Sequence, residues 1–304
     1  MRRYRPLATA LLGLATLVVV LASTDMGAVG RALGQTRPWH IAAGLALMLL
    51  RDPVADVSLW RAALAWFGHR VRYGQLLRVY LEFVPLKFLL PFKLGDAARV
   101  AALRAACGVP VVAGGGSRLA TMGVQAGALL ILGSVFASLA SGAWWPVAAG
   151  GAGIALLAWL TAREFRWRER TAAADEERRT DRPTRLLARW PHAAIALMSG
   201  LGSAAASLAL YSLFVGQALG EPPDAATLAV VAATVLACHL PISIRGVGVR
   251  ELLLTTAVAR TAGAESPALL GAGLAISALE LLFVLLLGGG FAGARVAGLI
   301  RPRD

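Results

Sequence analysis

Two short stretches hold the residue types that could bind a charged group. The first is Phe83–Arg99, FVPLKFLLPFKLGDAAR, with Lys87, Lys93, Gly95, Asp96 and Arg99. The second is Leu240–Leu254, LPISIRGVGVRELLL, with Arg245, Gly246, Gly248, Arg250 and Glu251. Each has an apolar run, a proline, a glycine-containing basic turn, and then a helix start with an arginine and an acid. A helix that starts inside an apolar environment aims unpaired N–H groups and its positive dipole end at the break. Anions, phosphate above all, bind at such ends. Glycine lets the backbone approach a ligand closely. The expected chemistry is therefore anion binding. Lys87 and Lys93 supply compact ammonium donors in the first stretch, and they are the only lysines among 30 basic residues. Asp96, Glu251 and Glu280 would hold the arginines in place or carry protons.

The elements that must position these residues are apolar. The chain has 304 residues, 58% hydrophobic and 15% charged, against roughly a quarter charged in a soluble domain. Several apolar runs exceed the roughly 18 residues that mark a spanning helix. The expected fold is all-α, a polytopic membrane helical bundle. Backbone may leave the helical state at membrane depth only where protein or a water-filled cavity covers it. Charges there point to function.

Taken in order, Arg2, Arg3 and Arg5 precede an apolar run, Leu7–Ser23, read as an uncleaved first helix rather than a signal peptide. A second span runs from Trp39 to about Trp60. It contains Arg51, Asp52, Pro53 and Asp56; the two acids lie one turn apart, and the proline predicts a kink. Ending the span earlier would leave these charges interfacial. Arg78 and Glu82 are spaced i,i+4 and should pair. Pro85 and Pro91 should prevent one straight helix, and a new helix should open near Asp96 and end about Cys107. Gly114–Arg118, GGGSR, lacks the residues of a phosphate loop and reads as a flexible entry to a span over Arg118–Ser141. Trp144 and Trp145 fit an interfacial aromatic belt, and Trp144–Thr161 spans back. His192–Leu219 and Ala268–Gly293 are further spans, the last with Glu280 near its middle. Ala225–His239 enters, breaks at Pro241, and Val249–Ala259 returns.

This gives about six spanning helices plus two re-entrant helical hairpins, opposed as an inverted repeat, which is a transporter device. The chain reads as one integral membrane domain, 1–304. Its first half is 1–162 and its second 192–304, joined by a linker, 163–191, in which Arg163–Arg189 holds nine arginines and six acids. The arginine clusters place the linker and both termini in the cytoplasm. The net charge of +13 is therefore a topology signal, not a nucleic-acid signal. Cys107 and Cys238 predict neither a disulfide framework nor a metal site. No catalytic constellation stands out, so no enzyme, cofactor or metal is expected. The partial dinucleotide fingerprint at Gly246–Glu251 lacks its third glycine and sits among apolar runs. Arg250–Glu251 and Asp96–Arg99 could also be purely structural ion pairs that lock the hairpins.

Trp60-Arg61, PLKFLLPFKLGDAARVAALR (Pro85–Arg104) and LPISIRGVGVRELLL together resemble the lysylphosphatidylglycerol synthase transmembrane family, whose flippase-like domain also occurs in a hopanoid-associated transporter and beside glycosyltransferases. The resemblance follows segment order over nearly the whole chain. It is most specific at Pro241, Gly246, Gly248 and Glu251, then at Gly95, Asp96 and Arg99. It implies a bacterial inner-membrane protein that moves lipids or lipid-linked groups between leaflets. The alternative is a non-transporting accessory subunit of a glycosyltransferase or lipid-modifying system. Lys93 departs from the small or polar residue common at its position, which implies a different preferred headgroup. These 304 residues are not expected to include the cytosolic aminoacyl-transferase domain of the full synthase.

Overall fold

The structure, a computed structural model, describes residues 34–89, 94–152, 190–239, 249–264 and 266–291. All of its regular elements are helical, as expected for an all-α membrane bundle.

The first described span is one continuous helical run from residue 38 to 66, about 43 Å at 1.5 Å per residue. It opens with Pro38 in its first turn, where a missing N–H costs nothing. α1 (Pro38–Leu49) passes into a π-helical segment, Leu50–Asp56, and then into α2 (Val57–Trp66). Pro53 lies inside the widened turn. It has no N–H to give, and its ring crowds the carbonyl one turn earlier, so the local ladder shifts register instead of ending. The span thus continues past the charges. Asp52 and Asp56 are 4% and 3% exposed, which places them inside the bundle rather than at its edge. The Tyr73 hydroxyl donates to the Pro53 carbonyl at 2.6 Å and ties the next helix to the widened turn.

α3 (Tyr73–Leu89) and α4 (Leu94–Cys107) form the first hairpin. Pro85 lies inside α3, which carries through it, and the stretch forms two helices rather than one; Lys93 and Pro91 lie outside the described residues. α4 opens at Leu94 with Asp96 in its first turn and ends at Cys107, as the sequence predicts.

α5 (Val111–Ser141) starts earlier than expected and takes in the whole GGGSR stretch. The glycines there are packing sites, not a flexible entry. A Cβ on Gly114 would meet Val100 Cγ1 at 2.9 Å, and one on Gly116 would meet Phe67 Cε1 at 2.6 Å. Gly142, at φ 64°, ends the helix in the left-handed region that favours glycine. Trp144 and Trp145 follow, both well exposed, and 145–152 are helical again.

The second half holds α6 (Trp190–Leu219), α7 (Ala225–Cys238), α8 (Val249–Leu253), a π segment Leu254–Val258, α9 (Ala259–Ala262), α10 (Ser266–Val284) and a closing π segment Leu285–Gly289. The Asp224 carboxylate caps α7 by accepting the Thr227 N–H at 2.8 Å. Pro241, Arg245, Gly246 and Gly248 lie outside the described residues, as do the expected first helix and linker residues 163–189. Among the described residues, α5, Pro191–Leu219 and Pro267–Gly289 are each long and apolar enough to cross a membrane.

Two apolar cores hold the bundle. One joins Met48 to Tyr211 and Phe214 on α6, Val231 and Val235 on α7, and Ile276 and Leu279 on α10. The other joins Trp60 and Leu64 on α2 to Leu76 and Tyr80 on α3 and Leu103 on α4. The continuous 38–66 helix belongs to both. Its charged π segment therefore lies between the two cores.

Candidate functional site: a buried chain of arginines and carboxylates

The predicted residues fall around two buried guanidinium centres. Residues of the π segment reach both.

The first centre is Arg118, 5% exposed on α5. Its Nε donates to Asp96 Oδ1 at 3.0 Å and its Nη1 to Asp56 Oδ1 at 3.0 Å. Nη1 also reaches Thr121 Oγ1 at 3.2 Å. One side chain thereby ties α5 to α4 and to the π segment. Asp56 Oδ1 accepts a further hydrogen bond from Gln125 Nε2 at 3.2 Å, and Gln125 Nε2 lies 3.1 Å from Ser203 Oγ on α6. Trp60 Nε1 donates to Ser117 Oγ at 3.1 Å, and the Ser117 hydroxyl donates to the Gly114 carbonyl. Charge-assisted bonds at these lengths are the strong kind. In a dry interior they hold because every partner is supplied.

Arg99 lies beside this centre and is fully buried. Its guanidinium carbon sits 4.5 Å from the Tyr80 ring centroid. Its Nη1 is 3.6 Å from Asp96 Oδ1, an ion-pair contact beyond hydrogen-bond length. Among the described residues, none of its three side-chain nitrogens has a hydrogen-bond partner.

The second centre is Arg250 on α8, also fully buried. Nη1 and Nη2 each lie 3.5 Å from Glu280 Oε2, and Nε lies 3.5 Å from Glu251 Oε1. Glu251 Oε1 accepts from Ser277 Oγ at 3.1 Å. The other oxygen of Glu280 lies 3.6 Å from Arg51 Nη2, and Arg51 grips Asp52 at 2.6 Å. Glu280 thus bridges the second hairpin to the π segment. The Tyr211 ring lies 5.8 Å from the Arg250 guanidinium carbon, and its hydroxyl contacts Cys238 Sγ at 3.8 Å.

Of the residues singled out in the sequence, Asp96, Arg99, Arg250, Glu251, Glu280, Asp52 and Asp56 therefore line this one buried system. Gly95 is buried in the first turn of α4. Lys87 belongs to α3, and its side chain, like Lys93, Arg245, Gly246 and Gly248, is outside the described set. Arg78 and Glu82 pair at 3.4 Å as their spacing predicts. Cys107 and Cys238 are free thiols, and His239 Nδ1 bonds to the Val235 carbonyl within its own helix.

Sequence reasoning overlooked Arg118, Thr121 and Gln125. Their spacing was a usable signal: positions i, i+3 and i+7 of one helix share a face, and a polar stripe inside an apolar span must face protein.

The family described as the lysylphosphatidylglycerol synthase TM region matches residues 7–288. No curated protein matches the chain.

Proposed function

The chain belongs to the lysylphosphatidylglycerol synthase transmembrane family, and from that premise we propose that it carries a lipid or lipid-linked group between leaflets through the charged system described above. The observation that carries the proposal is the connection of charged residues on α4 and α8 to the one π segment, Leu50–Asp56. Asp96 from the first reaches Asp56 through Arg118, and Arg250 from the second reaches Arg51 and Asp52 through Glu280. Charges buried in a bilayer are costly and serve ion or substrate pathways. A lipid headgroup is a fitting guest, since it must cross the hydrocarbon while its tails stay within it.

In this reading the π segment is the pivot of the site. The loose contacts of Arg250 exchange for ligand contacts, and the tight contacts of Arg118 keep the first hairpin in register. The breaks themselves act as opposed re-entrant tips, the first from the cytoplasm and the second from outside, in a bacterial inner membrane with both termini cytoplasmic. Lys87, Lys93, Arg245, Gly246 and Gly248 would complete the anion site. The chain works as a carrier rather than an enzyme, and its partners are membrane lipids.

The test is untargeted lipid analysis of each leaflet in cells with and without the protein. Transport predicts that at least one lipid changes its distribution between leaflets. Unchanged leaflets, together with co-purification of a glycosyltransferase or lipid-modifying enzyme, would favour the accessory-subunit alternative instead.

A further inference from the structure

The four arginines of the system do not have equal work. Arg51 bonds Asp52 through two nitrogens. Arg118 bonds Asp56, Asp96 and Thr121. Arg250 reaches Glu280 through two nitrogens. Arg99 is fully buried and donates to no acceptor among the described residues from Nε, Nη1 or Nη2. A buried charged donor without an acceptor carries a large desolvation cost, well above that of a neutral group. Apolar residues of similar length would pack there at less cost. Stability does not account for an arginine at this position.

Its surroundings limit what can complete it. The Tyr80 ring at 4.5 Å lies against the guanidinium and offers no in-plane acceptor. The nearest carboxylate oxygen, Asp96 Oδ1, is engaged by Arg118 at 3.0 Å and stands 3.6 Å from Arg99. Arg99 is in the second turn of α4, a helix of 14 residues. Gly95 lies one turn earlier on the same face and carries no side chain. The positive end of α4 and the unused guanidinium fork are thus close together. That combination suits an acceptor with several oxygens and negative charge.

We propose that Arg99 is the phosphate-recognising residue of the site: its N–H fork binds the phosphate of a phosphomonoester or phosphodiester, while Arg118 braces α4 against α5 and the π segment. This deepens the transport reading and rests on it only for the source of the phosphate. In the described state the fork is closed off, so the site opens to admit its ligand. The phosphate then takes a place that no hydrogen-bonding oxygen of the described residues fills.

The test uses the full chain in detergent with three probes: dioctanoyl phosphatidic acid, dioctanoylglycerol (the same tails without phosphate) and inorganic phosphate. The wild type should bind, and be thermally stabilised by, a phosphate-bearing probe but not dioctanoylglycerol. Stabilisation by the lipid alone names a lipid headgroup, and by inorganic phosphate alone a soluble phosphate; either supports the site. Arg99→Gln should leave the unliganded melting temperature unchanged or raised and weaken phosphate binding by roughly tenfold or more. Arg99→Lys keeps the charge but loses the fork, and should fall between the two. Arg104→Gln, an exposed position on the same helix, should bind as the wild type does. The inference is overturned if Arg99→Gln binds phosphate normally. It is equally overturned if that variant melts lower while keeping the ligand shift, which would make Arg99 structural, or if dioctanoylglycerol stabilises the wild type as well as the phosphate probes do. Phosphate binding through Arg99 in a protein that moves no lipid would instead remove the transport reading and leave this one standing.

Discussion

Arg118 and Arg250 occupy comparable places, one beside each hairpin, and each meets two carboxylates. They are held differently. Arg118 donates to Asp56 and Asp96 at 3.0 Å and draws in Thr121, with Gln125 and Ser203 behind. Arg250 stands 3.5 Å from both of its carboxylates, and its Nε forms no hydrogen bond. A short, fully satisfied network fixes one arrangement of its helices. A network at the edge of hydrogen-bond length leaves a second arrangement within reach. The contacts that Arg118 makes with α4 and the π segment are thus held tightly and those of Arg250 on α8 loosely; under the transport proposal, the loose side is the one that trades its contacts for those of a ligand.

The comparison breaks most sharply at the tight centre. Arg118→Met removes the charge that Asp56 and Asp96 share and should cost ~3–5 kcal/mol, read as unfolding free energy in mild detergent. Arg250→Met should cost less, on the order of 1–2 kcal/mol, given its longer contacts. Equal losses would mean that the two centres are equally rigid. Glu280→Gln probes the bridge. It should weaken the hold on Arg51 and Arg250 together, leave the Arg118 network intact, and lower transport more than stability.

Packing gives a smaller contrast. Gly116→Ala drives a methyl into the Phe67 ring and should destabilise by about 1–3 kcal/mol. Gly202→Ala meets no atom within 4 Å and should be tolerated. The smallest effect is at the exposed Asp224 cap. The Thr227 amide and hydroxyl hold its carboxyl below the ordinary range. A depressed folded pKa stabilises above the unfolded value, and that contribution disappears as pH falls through the depressed one. Hydrogen-exchange protection at the first turn of α7, taken relative to the intrinsic amide rate, should therefore fall on acidification through the carboxylate range, and Asp224→Ala should abolish that pH dependence.

Much of this arrangement is legible in the chain. A break flanked by Pro91 and Gly95, followed by Asp96, marks the start of α4, because helix starts are set by local chemistry. Asp52 and Asp56 are legible as one face of a helix. Their burial is not, because spacing alone cannot separate an intramembrane charge from an interfacial one. Pro53 predicts a kink, but whether a helix bends, stops or widens there depends on what packs around it. Tyr73 secures the widened turn from 20 residues away. The GGGSR stretch misleads for the same reason. Glycine serves flexibility and close packing alike, and only Val100 and Phe67, distant in sequence, decide between them. Arg118 is hidden by that misreading, although Thr121 and Gln125 mark its face.

The most direct test of the account is transbilayer movement of a fluorescent phospholipid in vesicles reconstituted with the purified protein, read by chemical quenching of the outer leaflet. The wild type should exceed protein-free vesicles, and the double variant Arg99→Gln/Arg250→Gln should fall to their level while remaining helical and monodisperse. Undiminished movement in that double variant would contradict the claim that lipid crosses through this buried charged site.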